Sequence, residues 1–355
     1  MLAAETPAMR NLIETRGATR TLDAFVIQCA FERGGAFVAF GLGDGTVHFA
    51  PLGDLAGDWA STPAHDGAIL GLCADVLPGS VITGGDDGDF RRVQASGEAV
   101  TLGDLGSKWV EHVAGYAPTK GREKDMPVLA CAAGKQVHLF DATGRKLKVL
   151  DHPSTVTGIA FDGRGKRIAA SHYNGASLWF VAAKTDAPRR LEWKGSHIGV
   201  ALHPDGESVV TGMQENALHG WRLGDGQHMR MSGYPSKPES MSFSRSGRWL
   251  ASSGADTVVL WPFFGGGPMG KAPMELAGGA DVLVTRVLFN PKSDVVAAGF
   301  ADGRVVLAEV EGGRILPIAA PSGSAVSALA WNETGSHLAF GTEAGLAGVV
   351  DLSKR

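Results

Sequence analysis

Eleven histidines are the side chains best suited to chemistry in this 355-residue chain, because a neutral imidazole ligates zinc and titrates near neutral pH. They are scattered: no H-x-H, H-E-x-x-H or C-x-x-C pairing brings two candidate ligands to one turn or strand face. Cys29, Cys73 and Cys131 stand singly and read as buried, reduced thiols that pack as small hydrophobes. The run Gly265-Gly266-Gly267-Pro268-Met269-Gly270-Lys271 matches a phosphate loop by letter. Ala272 and Pro273 follow it, however, where that motif needs a magnesium-binding Ser or Thr and the start of a helix. A nucleophile elbow G-x-S-x-G and a haem-attachment C-x-x-C-H are both absent from the sequence. The expectation from these residues is a protein without catalysis and without a cofactor.

The elements that would position such side chains are strands. The stretch 155–180, TVTGIAFDGRGKRIAASHYNGASLWF, contains three apolar runs. Asp162-Gly163-Arg164-Gly165 separates the first two, and Asn174-Gly175 turns the second into the third. An Asn-Gly pair between apolar runs marks a tight hairpin, because both residues tolerate the positive φ it requires. The same unit recurs: the anchors Cys29, Leu72, Val113, Ile159, Val200, Met241, Val287 and Leu329 follow one another at intervals of 41 to 46 residues, the period of a four-stranded propeller blade. Turn tetrads such as His203-Pro204-Asp205-Gly206 and Asn332-Glu333-Thr334-Gly335 follow most first strands. Continuous apolar runs, among them Val258-Val259-Leu260-Trp261 and Val295-Val296-Ala297-Ala298, fit strands buried on both faces.

The chain resembles the WD40-repeat family. The likeness is carried by AFDGRG at 160–165, ALHPDGES at 201–208, SFSRSGRWLASSGADTVVLW at 242–261, DGTVHF at 44–49, and by His65 and His152 at the start of two repeats. Trp closes the third strand at Trp221 and Trp261, with Phe140 and Phe180 in other copies, and no subfamily is identifiable. The expected fold is all-β: an eight-bladed β-propeller of four-stranded antiparallel blades, a single domain over residues 1–355. The chain ends just after the third strand of the last blade, so an N-terminal strand at 11–15 is expected to close it.

The resemblance implies a protein-interaction scaffold of WD40 type. It also implies that the loop before each first strand and the hairpin between the second and third strands share one face. His65, Glu111, His112, His152, His172 and His197 would then lie on that face, and an alternative reading is a zinc-binding or metal-homeostasis propeller that uses it. His65 and His152 fall where the family uses a His to hydrogen-bond within a blade. The candidate partner-binding residues at the channel mouth are Glu111, His112, His172, Asn174, Glu215, Asn216, Glu239 and Arg286, a mixed and mostly acidic rim. Insertions at 118–127 and 263–272 belong to the opposite face.

Lys plus Arg number 33 against 37 Asp plus Glu, a net charge of −4, which argues against a surface that tracks nucleic-acid phosphates. No apolar run approaches the roughly 18 residues of a membrane span, and residues 1–17 lack a signal-peptide core. The protein is therefore expected to be a cytoplasmic, monomeric propeller with a protein partner, no nucleic acid and no membrane.

Overall fold

A computed structural model describes residues 10–184, 187–278 and 281–353. Among these, strands account for every regular element except the four-residue helix Ile13–Arg16. Second strands such as Phe37–Leu42, Ser80–Gly85, Val128–Ala133 and Ser208–Met213 are buried at all six positions rather than at alternate ones. That pattern arises when a sheet is covered on both faces, and neighbouring sheets supply the cover. One core cluster joins Val26, Phe40 and Leu42 of one sheet to Ala328, Ala339 and Val349 of another; a second joins Val47 and Phe49 to Ile69, Leu72 and Val81.

Close approach between sheets depends on glycine in the second strands. A Cβ built on Gly84, Gly299 or Gly341 would lie 2.5, 2.4 or 2.2 Å from Val110, Val326 or Val26, the first residue of the next inner strand. The glycines leave the space that these valines fill.

All eight anchors lie in the innermost strands, and each of these strands contacts the next around the axis. The circle closes between Val26–Phe31 and Val326–Trp331, where Ser327 Oγ donates to the Val26 carbonyl at 2.6 Å. Pairing within each sheet is antiparallel from the inner strand outward. The outer strands, among them Ala99–Asp104, Lys146–Asp151, His228–Ser232 and Ile315–Ala319, carry more exposed residues, as sheet edges do.

The blade count differs from the expectation. The strands form an all-β propeller of seven hydrogen-bonded sheets, not eight: six have four strands, and the seventh has six. The fourth and fifth sequence units are not separate sheets because their ladders are continuous. Tyr173, in the hairpin expected to end the pairing, bridges to Ser196 in the connection that leads to the next inner strand. Arg167–Phe180 and Arg189–Leu202 consequently run as two 14-residue strands. Gly195, at φ 120°, supplies the backbone course for that passage, a conformation that L side chains rarely adopt.

The N-terminal segment also differs. Residues 11–15 do not form a strand: Leu12 and Ile13 pack against the core cluster that holds Phe340 and Val350, and the chain there makes one helical turn. The strand that completes the last sheet is Gly17–Thr21, paired in register with Leu346–Asp351 from Gly17↔Val350 to Thr21↔Leu346.

Candidate functional site: the axial channel and its mouth

The inner strands carry a repeated irregularity near their starts. Register shifts fall between Val26 and Gln28, Ile69 and Gly71, Val110 and His112, Val156 and Gly158, His197 and Gly199, Val284 and Arg286, and Val326 and Ala328. In each case one extra residue is inserted against the straight partner strand, which re-aims the side chains around it. A regular strand would send adjacent residues to opposite faces. Glu111 and His112, neighbours in sequence at one of these bulges, both line the axial cavity.

That cavity is about 590 Å³ and is lined by residues from all eight inner strands. Thr157, Thr285 and Ser327 occupy the bulge position in their units and donate hydrogen bonds to the carbonyls of His197, Val326 and Val26 on the following strand. Glu111 occupies the same position, and its carboxylate makes no hydrogen bond or ion pair among the described residues. Burial holds its carboxyl above the ordinary range. His112 beside it is pushed down to about 4, also by burial, and is neutral at pH 7.

Farther round the channel, Glu239 pairs with Lys237 at 2.7 Å and lies 3.7 Å from Arg286. Arg286 is held by the Ser327 carbonyl at 2.7 Å and by that of Thr285 at 2.9 Å. Burial lowers its pKa, while Glu239 and Glu343 act in the opposite direction. Of the eight residues expected at the mouth, these four therefore share one cavity: Glu111, His112, Glu239 and Arg286.

The other four lie away from the axis. His172 and Asn174 line a separate cavity with Arg190, Glu192 and Trp193. Asn174 and Glu215 meet in a third, bounded by Lys194 and Arg230. Asn216 lies in its hairpin at φ 52° and donates to the Pro235 carbonyl at 3.3 Å. These side cavities carry bases beside their acids: Arg190 with Glu192 in one, Lys194 and Arg230 with Glu215 in the other. Gln28 was missed although its signal was present: one residue before the anchor Cys29, it occupies the position that His112 and Arg286 hold before Val113 and Val287.

Four of the histidines expected on that face, His65, His152, His172 and His197, are taken up by bonds inside the sheets. His65 contacts Asp87 at 2.9 Å through Nδ1 and Thr83 at 2.9 Å through Nε2. His152 accepts from Trp179 Nε1 at 3.0 Å, His172 meets Ser177 at 2.9 Å, and His197 meets Thr211 at 2.7 Å. Among the described residues, no group of three His, Cys, Asp or Glu side chains is placed to hold a metal ion. The glycine-rich run near residue 265 forms no phosphate cradle either. Lys271 Nζ bonds the carbonyls of its own loop, Gly267 at 2.8 Å among them, and lies 4.8 Å from the Phe264 ring centre.

A ring of antiparallel sheets around a bulge-lined axial channel defines the β-propeller class. Family models narrow it. The WD domain, G-beta repeat model matches residues 228–261, and the anaphase-promoting complex subunit 4 WD40 domain model matches residues 287–355. Autophagy-related protein 16 of Arabidopsis thaliana is 22% identical over 308 residues, which cover 83% of this chain and 58% of that protein. The WD repeat-containing protein slp1 of Schizosaccharomyces pombe is 28% identical over 103 residues, 27% of this chain and 21% of that one. The chain thus spans less than two thirds of the length of these curated relatives. The crystal structure of the computationally designed Ika8 protein superposes with a TM-score of 0.73 at 19% identity, covering 94% of this chain and 98% of that one, a likeness of fold alone. These matches support a WD40 β-propeller, and no subfamily is identified.

Proposed function

We propose that this propeller is a non-catalytic scaffold that receives a protein partner at the mouth of the axial channel, with a basic side chain of the partner entering toward Glu111. WD40 repeats indicate a protein-interaction scaffold. The finer reading rests on one observation: Glu111 lines the channel at a bulge position whose counterparts Thr157, Thr285 and Ser327 donate to carbonyls of the neighbouring strand, and its carboxylate makes no such bond. A half-desolvated carboxylate without a partner is costly, and a cation that reaches it recovers part of that cost. Glu239 adds a second negative group on the same cavity, already shared between Lys237 and Arg286.

The test is the pair of substitutions Glu111→Gln and Glu239→Gln, which keep volume and remove two charges. A partner recovered by affinity capture is titrated against wild type and the double variant at low salt. Weakening of about tenfold or more, with a shallower salt dependence, supports the mouth as the site. Unchanged affinity places it elsewhere.

A further inference from the structure

The face opposite the channel mouth carries a groove of about 450 Å³ between the connection at 117–127 and the turn that follows Phe180. Its position is fixed by packing. Tyr116 is buried, and its ring lies where Gly165, at φ 62°, has no Cβ; a Cβ there would come within 2.1 Å of the ring. Tyr116 Oη donates to Asp125 at 3.3 Å, and Arg122 donates to the Gly163 carbonyl at 2.8 Å. These contacts pin the insertion of one unit over the first turn of the next.

Two large apolar side chains are nevertheless left in water. Met126 is 50% exposed and Phe180 59% exposed, and both line the groove. Phe180 follows the buried Trp179, which is the counterpart of Trp221 and Trp261, and takes the place held by Arg222 and Pro262 in the next two units. Three cations line the same groove: Lys124, Arg164 and Lys166. None of the three side chains makes an ion pair or hydrogen bond among the described residues. Asp125, the acidic residue on the lining, is already engaged by Tyr116. The groove thus joins an apolar floor to an excess of unpaired positive charge on a protein whose net charge is −4.

We propose that this groove docks an acidic peptide segment of a partner protein, with one large apolar side chain seated between Met126 and Phe180 and flanking carboxylates facing Lys124, Arg164 and Lys166. Apolar anchoring supplies affinity, and the complementary charges set orientation and on-rate. The site lies on the other face from Glu111, so it goes beyond the reading of the channel mouth and stands or falls separately.

The experiment uses the full chain and fluorescein-labelled decapeptides of Asp, Glu and Ser with a central Leu, Phe or Trp. Controls replace the central residue with Ala, or every acid with Lys, and binding is read by fluorescence anisotropy at low and moderate salt. The expected result is saturable binding of at least one acidic apolar peptide, weakened by salt. It should fall about tenfold in Phe180→Ser and again in the double variant Arg164→Ala, Lys166→Ala, and stay unchanged in Glu111→Gln with Glu239→Gln. Phe180 is exposed, so its replacement leaves the fold intact, which a thermal melt verifies. Failure of every acidic peptide to bind, equal binding to the groove variants, or stronger binding of the Lys peptides or of a short single-stranded RNA would each overturn the proposal.

Discussion

Trp261 Nε1 donates to the hydroxyl of Tyr234 at 2.6 Å, and the same hydroxyl meets Ser252 Oγ at 2.6 Å. All three groups are buried, and they link the loop before an inner strand to the second and third strands. Two other units make comparable links with histidine: His152 accepts from Trp179, and His65 contacts Thr83 and Asp87. Tyr234 takes over in its own sheet the part that imidazole plays in those.

Tyr234→Phe keeps the ring and removes the hydroxyl, leaving an indole N–H without its acceptor in the interior. The expected cost is about 1–3 kcal/mol, the range for a buried polar group left unmet. Urea unfolding measures it, and the paired variant Tyr234→Phe with Trp261→Phe should cost less than the sum of the two single variants, because the indole N–H and its acceptor are lost together. A midpoint for Tyr234→Phe equal to wild type would show that the link contributes nothing.

Truncation separates the two roles of the N-terminal segment. Removing residues 1–16 deletes the turn that carries Leu12 and Ile13 but leaves the Gly17–Thr21 ladder. The expected effect is a moderate drop in melting temperature. Removing residues 1–21 strips the outer strand from the last sheet and exposes the edge of Leu346–Asp351. Aggregation or a much larger drop should follow, because an uncovered edge is a template for pairing. Light scattering alongside the melt distinguishes the outcomes, and equal behaviour of the two truncations would refute the assignment.

What the sequence conveyed, and what it concealed, follows from which interactions leave a mark on side-chain pattern. The anchors from Cys29 to Leu329 mark the inner strands because an apolar side chain, buried or half-buried, recurs there in every unit. Gly17–Thr21 reads GATRT, and its edge position requires no apolar pattern, so the more hydrophobic residues 11–15 drew the strand assignment instead. The fusion of two units into a six-stranded sheet rests on a backbone bridge between Tyr173 and Ser196, which no side chain announces. Glu111 and His112 share the channel because they lie on an inner strand, while His172 and Glu215 lie at hairpins beyond the second strands.

On the opposite face, Asp75 is fully buried and is held by Arg92, by the Ser80 hydroxyl at 2.6 Å and by the Val76 amide at 2.6 Å. Arg92 also donates to the Ala142 carbonyl at 2.8 Å, tying its strand to the next sheet. Replacing Arg92 with Ala strands a carboxylate in the interior, at an expected cost of about 3–5 kcal/mol. Asp75→Asn with Arg92→Met removes both charges and should cost less than Arg92→Ala alone. A thermal or urea series on the three proteins checks the order, and a single Arg92→Ala variant as stable as wild type would contradict it.

The last expectation concerns acid. Burial pushes His138 and His152 down to about 4 and His219 down to about 3, with nearby Lys146 assisting for His138, His172 for His152 and His228 for His219. The Nδ1 atoms of His138 and His219 are buried without a hydrogen-bond partner among the described residues, so the fold offers no acceptor for an added proton there, whereas for His152 the backbone of Lys135 and Leu150 acts in the opposite direction. The ordinary histidine value is 6.5. Below it the unfolded chain takes up protons that the folded chain refuses, and the equilibrium shifts toward unfolding. The stability these residues lend is therefore whole above pH 6.5 and declines as pH falls toward their folded values. Glu111 works the other way, since its raised pKa lets the folded state bind a proton more readily. Most carboxylates titrate near 4, so the interval from about 6.5 to 5 reports chiefly on histidine. Over that interval each buried histidine can remove at most about 2 kcal/mol. Urea midpoints measured across it should fall for wild type and fall less steeply for His138→Gln and His219→Gln, each compared with its own value at pH 7.5. A midpoint that stays level from pH 6.5 to 5 would mean that these imidazoles accept protons within the fold.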